Sequence, residues 1–364
     1  MAMKIAFDHT IFLIQKFGGI SRYFNELVNN MDKNYETKIF CPIHLNQIID
    51  KNKKVFKFKK INSIPNFSTK ILNYFNFTLN DLIFLKWKPD IIHKTYFNSY
   101  NYKYSKAKKI LNVWDLSHEM FHDMYQKSSN WRPKKDSLKN IDHVICSSKN
   151  TRNELIKYYN FDHKKTSVVY QSAPNFKLNL PIKRKKEKIL LYVGSRLKYK
   201  NFENLLEALS FNAYILEDFK LICFGTERLS KREEYLIEKY KLNKKNIIFD
   251  SGDDFKLANY YLNATALIYP SKNEGFGFPP LEAMTYGCPV ISSNNKAILE
   301  ATDLSQYSFD PNDPKDMLRK IENVIYSENE INFLNEYGLK RVKIFEKKNM
   351  IENIKKIYDN IIKY

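Results

Sequence analysis

The chain lacks most of the features that would mark a stapled miniprotein, a membrane-spanning protein or a metal centre. Its 364 residues hold only four cysteines, with no CxxC and no close pair. That excludes a disulfide scaffold and a structural zinc site and fits a reducing cytosol. No stretch approaches the roughly 20 apolar residues needed to cross a bilayer. The opening MAMKIAFDHTIFLI has one lysine, an early polar Asp8-His9-Thr10 and no small-residue cleavage site, so it reads as a first strand rather than a signal peptide. Internal repeats, long low-complexity tracts and Cys/His finger spacings are also missing. Acidic residues are in deficit: 40 Asp+Glu against 60 Lys+Arg leave a formal charge of +20. Such a charge points to an anionic partner, whether nucleic acid, a phospholipid surface or a phosphorylated substrate.

Hydrophobic residues make up 43% of the chain, charged residues 27% and aromatics 15%, a balance that supports packed cores and excludes a wholly disordered chain. The length exceeds what one core usually fills, so two domains are expected. Short apolar runs alternate with helical patterns. In the first half the strand candidates are Met3 to Phe7, Thr37 to Cys41, Val55 to Phe58, Ile91 to His93, Lys109 to Val113, His143 to Cys146 and Ser167 to Tyr170. Several lack polar alternation, which argues for a mostly parallel sheet covered on both faces. Gln171 to Lys188, with Pro174, Pro181 and a charged run, breaks the pattern. The expected organisation is an N-terminal α/β domain over 1–172, a linker over 173–188, a second α/β domain over 189–345 and a C-terminal helix over 346–364 that braces the first domain.

Chemistry concentrates after strands, where open α/β sheets bind ligands. The segment Asn273-Glu274-Gly275-Phe276-Gly277-Phe278-Pro279-Pro280-Leu281-Glu282 follows a strand ending near Tyr269. Its glycines let backbone amides approach a ligand, and its prolines suit a helix start. Glu274 and Glu282 can bind sugar hydroxyls, while amides at the helix start face a phosphate; the competing structural reading makes Glu274 a cap and Glu282 a solvated side chain. Gly194-Ser195-Arg196-Leu197-Lys198-Tyr199-Lys200 occupies the matching place after the second domain's first strand. There Arg196 supplies a bidentate fork and Lys200 a compact charge for a diphosphate. Phe17-Gly18-Gly19-Ile20-Ser21-Arg22 repeats the arrangement in the first half, with Ser21 as the expected cap.

With these motifs the chain resembles the GT-B glycosyltransferases of family 4, retaining enzymes that use nucleotide sugars. The resemblance spans nearly the whole chain and is most specific from Glu274 to Glu282, followed by Ala283-Met284 and Gly287-Cys288-Pro289-Val290. It implies two Rossmann-like α/β/α domains facing across a cleft. It also implies Glu274 on the transferred sugar, Glu282 on the nucleotide ribose, Arg196 and Lys200 on the diphosphate, and backbone contacts from Gly18, Gly19, Gly194, Gly275, Phe276, Gly277 and Phe278. Ile145 to Thr151 resembles the family's strand-to-helix segment. Base contacts are expected near Phe249 to Asp254.

One departure stands out. Many relatives carry a His-Asp pair after a first-domain strand, whereas this chain has Trp114-Asp115-Leu116-Ser117-His118-Glu119. Tryptophan cannot take the histidine's proton-transfer role; Asp115 and His118 are the replacements, set against local capping or packing. The implied activity is transfer of a sugar, with mannose from GDP-mannose as the family-based choice and UDP-linked sugars close behind, to a hydroxyl of a glycan or lipid-linked glycan in surface-polysaccharide synthesis. The implied mechanism is front-face, retaining and independent of metal, with Arg196 and Lys200 stabilising the leaving diphosphate. A basic stretch, Lys51 to Lys60, and a helix bearing Ile71, Phe75, Leu79 and Leu82 make an anionic membrane surface a candidate partner; an edge strand followed by a core helix is the alternative. The expected location is cytoplasmic, peripheral at the inner face of the cell membrane. A sugar-nucleotide epimerase and a basic nucleic-acid-binding protein are the competing functions. The aromatics form no recognised RNA-binding motif, and nucleic acid is not expected as a partner.

Overall fold

The computed structural model describes residues 2–64, 68–103, 106–120, 134–173, 187–196, 198–225 and 229–363. It divides into two compact units, Met1–Gln171 with Lys348–Tyr364, and Ser172–Lys347. Residues 174–186, most of the stretch read as a linker, lie outside the described residues.

In the first unit the strands are β1 (Met3–Phe7), β2 (Tyr35–Phe40), β3 (Ile43–His44), β4 (Val55–Phe56), β5 (Lys59–Lys60), β6 (Ile91–Lys94), β7 (Lys108–Val113), β8 (His143–Cys146) and β9 (Thr166–Val168). Seven of them form a parallel sheet of order β4-β2-β1-β6-β7-β8-β9, and β3 pairs with β5. Strand alternation sorts the side chains. Ile5 and Phe7 of β1 enter one cluster with Phe24, Leu27 and Val28 of the helix Gly19–Asn30, and with Met350, Ile354 and Tyr358 of the C-terminal helix Lys347–Lys363. Ala6 points the other way, to a cluster with Phe40, Ile92 and the helix Thr69–Trp87, which contributes Phe77 and Phe84. The near-continuous apolar runs in the sequence are therefore a two-faced core.

The second unit contains β10 (Glu187–Val193), β11 (Lys220–Phe224), β12 (Ile247–Asp250), β13 (Ala264–Tyr269), β14 (Val290–Ser293) and β15 (Ser308–Phe309) in the parallel order β12-β11-β10-β13-β14-β15. Leu190, Leu191, Leu221, Leu267 and Ile268 are fully buried at its centre. Both units are α/β domains with helix-covered parallel sheets. The helices Lys231–Lys239, Lys296–Thr302 and Glu328–Arg341 each bury only a few side chains beneath a charged or polar surface, which leaves little helical periodicity in their sequences. The first of them did carry a sequence signal, the S-x-x-E of Ser230 and Glu233, which forms a reciprocal capping box. All four cysteines are free and buried.

The C-terminal helix is fastened to the first sheet by a polar bond inside its core. His93 Nδ1 lies 2.7 Å from Tyr358 Oη, and His93 Nε2 lies 2.6 Å from Asn112 Oδ1. The ring therefore donates from Nε2 to Asn112 and accepts from Tyr358, and burial lowers its pKa to about 4. Unfolding releases a histidine that binds a proton near its ordinary value of about 6.5, so stability present above that pH is lost as pH falls toward the folded value. All three tryptophans of the sequence precede the second unit, so tryptophan fluorescence reports the urea unfolding of the first. The stability so measured should decline between pH 6.5 and 5. His93→Gln should flatten that slope by on the order of 1 kcal/mol per pH unit; an unchanged slope would refute the assignment of a neutral His93.

Candidate active site

In the second unit the strand order turns at β10 and β13, whose outgoing chains run to opposite faces, and the candidate residues lie just beyond these two strands. β10 is followed by Gly194, whose φ of +128° favours glycine and whose N–H donates to Phe224 O at 3.0 Å. Beside it Gly225 ends β11 with φ +99°, and a Cβ placed on Gly225 would lie 3.8 Å from the Gly194 amide nitrogen. A Cβ at Gly194 would meet no atom within 4 Å. Two strand ends thus present bare backbone side by side, the surface that close approach of a ligand requires.

Lys200 closes a short 3-10 turn, Lys198–Lys200, after this glycine. Its ammonium lies 2.5 Å from Glu274 Oε1 and 3.1 Å from Tyr269 Oη, and Tyr269 donates to the same Glu274 oxygen at 2.6 Å. The β13 loop is held in register with the 3-10 turn by Lys272 N–H on Tyr199 O at 2.7 Å. Asn295 Nδ2 bonds Lys272 O at 3.2 Å, and Ser293 Oγ bonds Ser271 O at 2.5 Å. Burial, and then the Glu274 carboxylate, hold the Tyr269 phenol well above its ordinary pKa, so it stays a donor. Glu274 is neither a helix cap nor a solvated group; it is the acceptor in a cation–phenol–carboxylate cluster.

Arg196 takes a different partner from the one expected. Its Nε lies 2.5 Å from Glu233 Oε1, its guanidinium carbon lies 4.8 Å from the Phe249 ring centroid and 5.7 Å from that of Phe202, and its side chain is 8% exposed. Glu233 is the capping-box residue of the helix Lys231–Lys239, so that helix positions the guanidinium. Gly277, with φ +91°, caps the helix Phe278–Thr285, where a Cβ would press on Ile298 at 3.4 Å. Phe276 is buried against Phe278 and Phe345, so its side chain packs in the core and only backbone remains for ligand contact. Glu282, one turn into that helix, accepts from the buried Tyr261 hydroxyl at 3.0 Å.

Two family models divide the chain between them. Residues 17–172 match "Glycosyltransferase Family 4" and residues 178–341 match "Glycosyl transferases group 1". The chain belongs to the GT-B-fold glycosyltransferases. Among solved structures, a glycosyltransferase from Rickettsia africae superposes with a TM-score of 0.75 at 20% identity, covering 100% of this chain and 99% of that one. HepE of Anabaena, solved with UDP and glucose, gives 0.74 at 13% identity, covering 98% and 100%. Of curated relatives, the O-antigen chain mannosyltransferase RfbU of Salmonella typhimurium is 29% identical over 56% of each chain. The serotype-specific mannosyltransferase WbdA of Escherichia coli is 35% identical over 29% of this chain and 12% of its own. The matches thus span about half or less of these curated relatives.

The candidate residues of the first unit are held in structural roles. Gly18, not Ser21, is the N-cap of the helix Gly19–Asn30; Ser21 lies inside the first turn with its Oγ on Gly18 O at 3.0 Å. Gln15 performs the capping from outside, its Oε1 accepting from Ser21 N–H at 3.0 Å, and its side chain covers Gly18, whereas Gly19 faces open space. Trp114 packs edge-on against Tyr23 at 4.8 Å in the core. Asp115 accepts from Ser117 N–H at 2.9 Å, which starts the helix Ser117–Met120, and Lys134 stands 3.9 Å from its carboxylate and 2.9 Å from that of Glu119. Its carboxylate is thus engaged in the capping role. His118 lies in that helix, and its side chain lies outside the described residues. Among the described residues no group of three or more His, Cys, Asp or Glu is placed to hold a metal ion. The sequence has one HxxxH spacing, His118 to His122, whose side chains lie outside the described residues.

The cluster of Lys200, Tyr269 and Glu274 should behave as one unit. Glu274→Gln and Lys200→Met should each lower the stability of the protein by about 1–2 kcal/mol, because each leaves a partly buried partner unpaired. The double variant should cost less than the sum by at least about 0.5 kcal/mol in a urea double-mutant cycle; strict additivity would show the pair to be uncoupled.

Proposed function

We propose that the protein transfers a glycosyl unit from a nucleoside-diphosphate sugar to a hydroxyl of a glycan or lipid-linked glycan, with retention at the anomeric carbon. The carrying observation is the meeting of Lys200 and Glu274 beyond β10 and β13, next to the bare backbone of Gly194. An entering diphosphate replaces Glu274 as the partner of Lys200, which frees the carboxylate to accept sugar hydroxyls. Arg196, anchored by Glu233, supplies the second positive charge, and amides at the start of the helix Phe278–Thr285 supply partial charge. These groups stabilise charge developing on the leaving phosphate, the task a metal performs in other transferases. In a front-face reaction that phosphate accepts the acceptor proton. Glu282 is assigned to the ribose.

Mannose from GDP-mannose is the favoured donor, supported by the several curated relatives named as mannosyltransferases. The two named for the O-antigen chain also support a surface-polysaccharide pathway. Ligand binding raises apparent stability, so a thermal-shift panel of GDP-, UDP-, dTDP- and ADP-sugars should give a selective shift for one base. Lys200→Met should reduce it at least tenfold in ligand concentration. No shift with any donor would overturn the donor-site reading.

The reading extends to an anionic membrane surface as partner, with the protein peripheral at the inner face of the cell membrane. The helix Thr69–Trp87 buries Asn73, Asn76, Asn80 and Asp81 beside Phe77 and Phe84, and exposes Ile71, Tyr74, Phe75, Leu82 and Leu85. Positions 71, 74, 75, 78, 82 and 85 follow one helical face. Lys70, Lys86 and Lys88 stand exposed at its ends, and exposed Phe58 is followed by exposed Lys59 and Lys60. Not every lysine of the basic stretch is available, because Lys54 and Lys57 bond backbone carbonyls and Lys60 pairs with Asp50. Apolar insertion and lysine attraction act together on such a surface. Sedimentation with vesicles containing phosphatidylglycerol should retain the protein, and Ile71→Asp with Phe75→Asp should release it without changing the donor-induced thermal shift. Equal retention of the variant would refute this face as the contact.

A further inference from the structure

The first unit has its own turning point, between β1 and β6, and it is built around a buried carboxylate. Asp8, fully buried just after β1, accepts from Thr95 N–H at 2.8 Å, Thr95 Oγ1 at 2.7 Å, Thr10 Oγ1 at 3.0 Å and Asn98 Nδ2 at 2.9 Å. Lys94, buried enough that its pKa falls to about 8, donates to the carbonyls of Asn98 at 3.2 Å and Tyr100 at 2.9 Å. Together they fix the loop after β6.

Two asparagines beside this loop each retain one unused hydrogen-bonding atom. The amide nitrogen of Asn98 is surrounded by acceptors, Asp8 Oδ2, Thr10 Oγ1 and Tyr96 O, so its Oδ1 is the atom left without a partner. Asn73 is oriented by a relay. Asn80 Nδ2 donates to Phe40 O at 3.1 Å and faces His9 Nδ1 at 3.4 Å, which makes that nitrogen the acceptor of a neutral ring. His9 Nε2–H then donates to Asn73 Oδ1 at 3.1 Å, and Asn73 Nδ2 is left unpartnered. Burial keeps His9 neutral, its pKa lowered to about 4. Asn73 is 5% exposed and Asn98 4%.

Both asparagines line a pocket of about 340 Å³, together with Phe77, Tyr100, Tyr74 and Lys70. The rings of Phe77 and Tyr100 stack there at 4.4 Å and 5°, and Tyr100 Oη is committed to Asp81 at 2.7 Å. The pocket therefore combines an apolar aromatic wall with two asparagines, each of which keeps one buried amide atom without a partner, a nitrogen on Asn73 and an oxygen on Asn98. Among the described residues that line it the one cation is Lys70, which is exposed. That chemistry suits a neutral polyhydroxylated ring, one face apolar and its edge rich in hydroxyls, better than a phosphate. The volume is at the small end for ligand pockets.

We infer that this pocket is a pyranose subsite that holds a neutral sugar of the acceptor, with Asn73 and Asn98 as hydroxyl partners. The inference rests on the glycosyl-transfer reading and deepens it. Tyr74 belongs both to the pocket wall and to the exposed apolar stripe, so a sugar seated there lies beside the face assigned to lipid.

Saturation-transfer-difference NMR with the methyl α- and β-pyranosides of mannose, glucose and galactose tests it on the whole protein. At least one glycoside should receive saturation, and Asn73→Ala should weaken it at least fivefold, with Tyr100→Leu as an independent variant should the first fail to fold. The donor thermal shift should survive in both. Absence of transfer to any of the six glycosides, or transfer unchanged in the folded variants, would overturn the subsite. Glycoside binding lost in the variants of a protein that answers no nucleotide sugar would support the subsite while removing the donor reading.

Discussion

In a parallel sheet whose strand order turns at the middle, the two central strands send their chains to opposite faces, and a gap opens beyond their carboxyl ends. Both units are built on this constraint, at β1 and β6 in one and at β10 and β13 in the other. What fills the gap differs. The second unit places two cations there, Arg196 and Lys200, each held by a carboxylate. The first unit places a buried carboxylate, Asp8, satisfied by hydroxyls and amides. The same backbone solution thus offers positive charge in one unit and neutral amide groups in the other, a division suited to an anionic donor and an uncharged acceptor ring.

The strands were legible because parallel sheets covered on both faces demand unbroken apolar runs, and the loops after them were legible because glycine and proline punctuate them. Glu274 and Lys200 could be named from position alone, and they meet. The pairing of Arg196 with Glu233 could not be named, since the two lie 37 residues apart and nothing local couples them. Ser21 misled because a serine near a helix start suggests a cap, while Gln15, six residues earlier, had already taken that place. Asp8 and His9 were visible only as polar residues after a strand. Their roles depend on Thr95, Asn98 and Asn73, which come together only through the sheet.

The helix Thr69–Trp87 shows why spacing alone can mislead. Ile71, Tyr74, Phe75, Leu82 and Leu85 recur at helical intervals, the pattern ordinarily read as a core face, yet they are exposed, while Phe77 and Phe84 enter the core beside the asparagines. The asparagines opposite them dock the helix by hydrogen bonds. Asn76 accepts from Ile43 N–H and donates to Ile43 O, both at 2.9 Å, and Asn80 reaches Phe40 O. Side-chain amides here imitate a neighbouring strand and satisfy backbone groups that would otherwise go unpaired. Polar docking of one face leaves the other free to be apolar.

The buried cysteines carry a practical consequence for studying motion. Burial raises the thiols of Cys41, Cys146 and Cys223, that of Cys146 to about 12, and Cys288 is 1% exposed. Thiolate is the reactive form, so the native protein offers maleimide dyes and spin labels little to attack while folded. Two cysteines introduced on exposed helices, one in each unit, would be labelled almost alone. Distances between them, with and without nucleotide, could then be followed in a chain that keeps all of its own thiols.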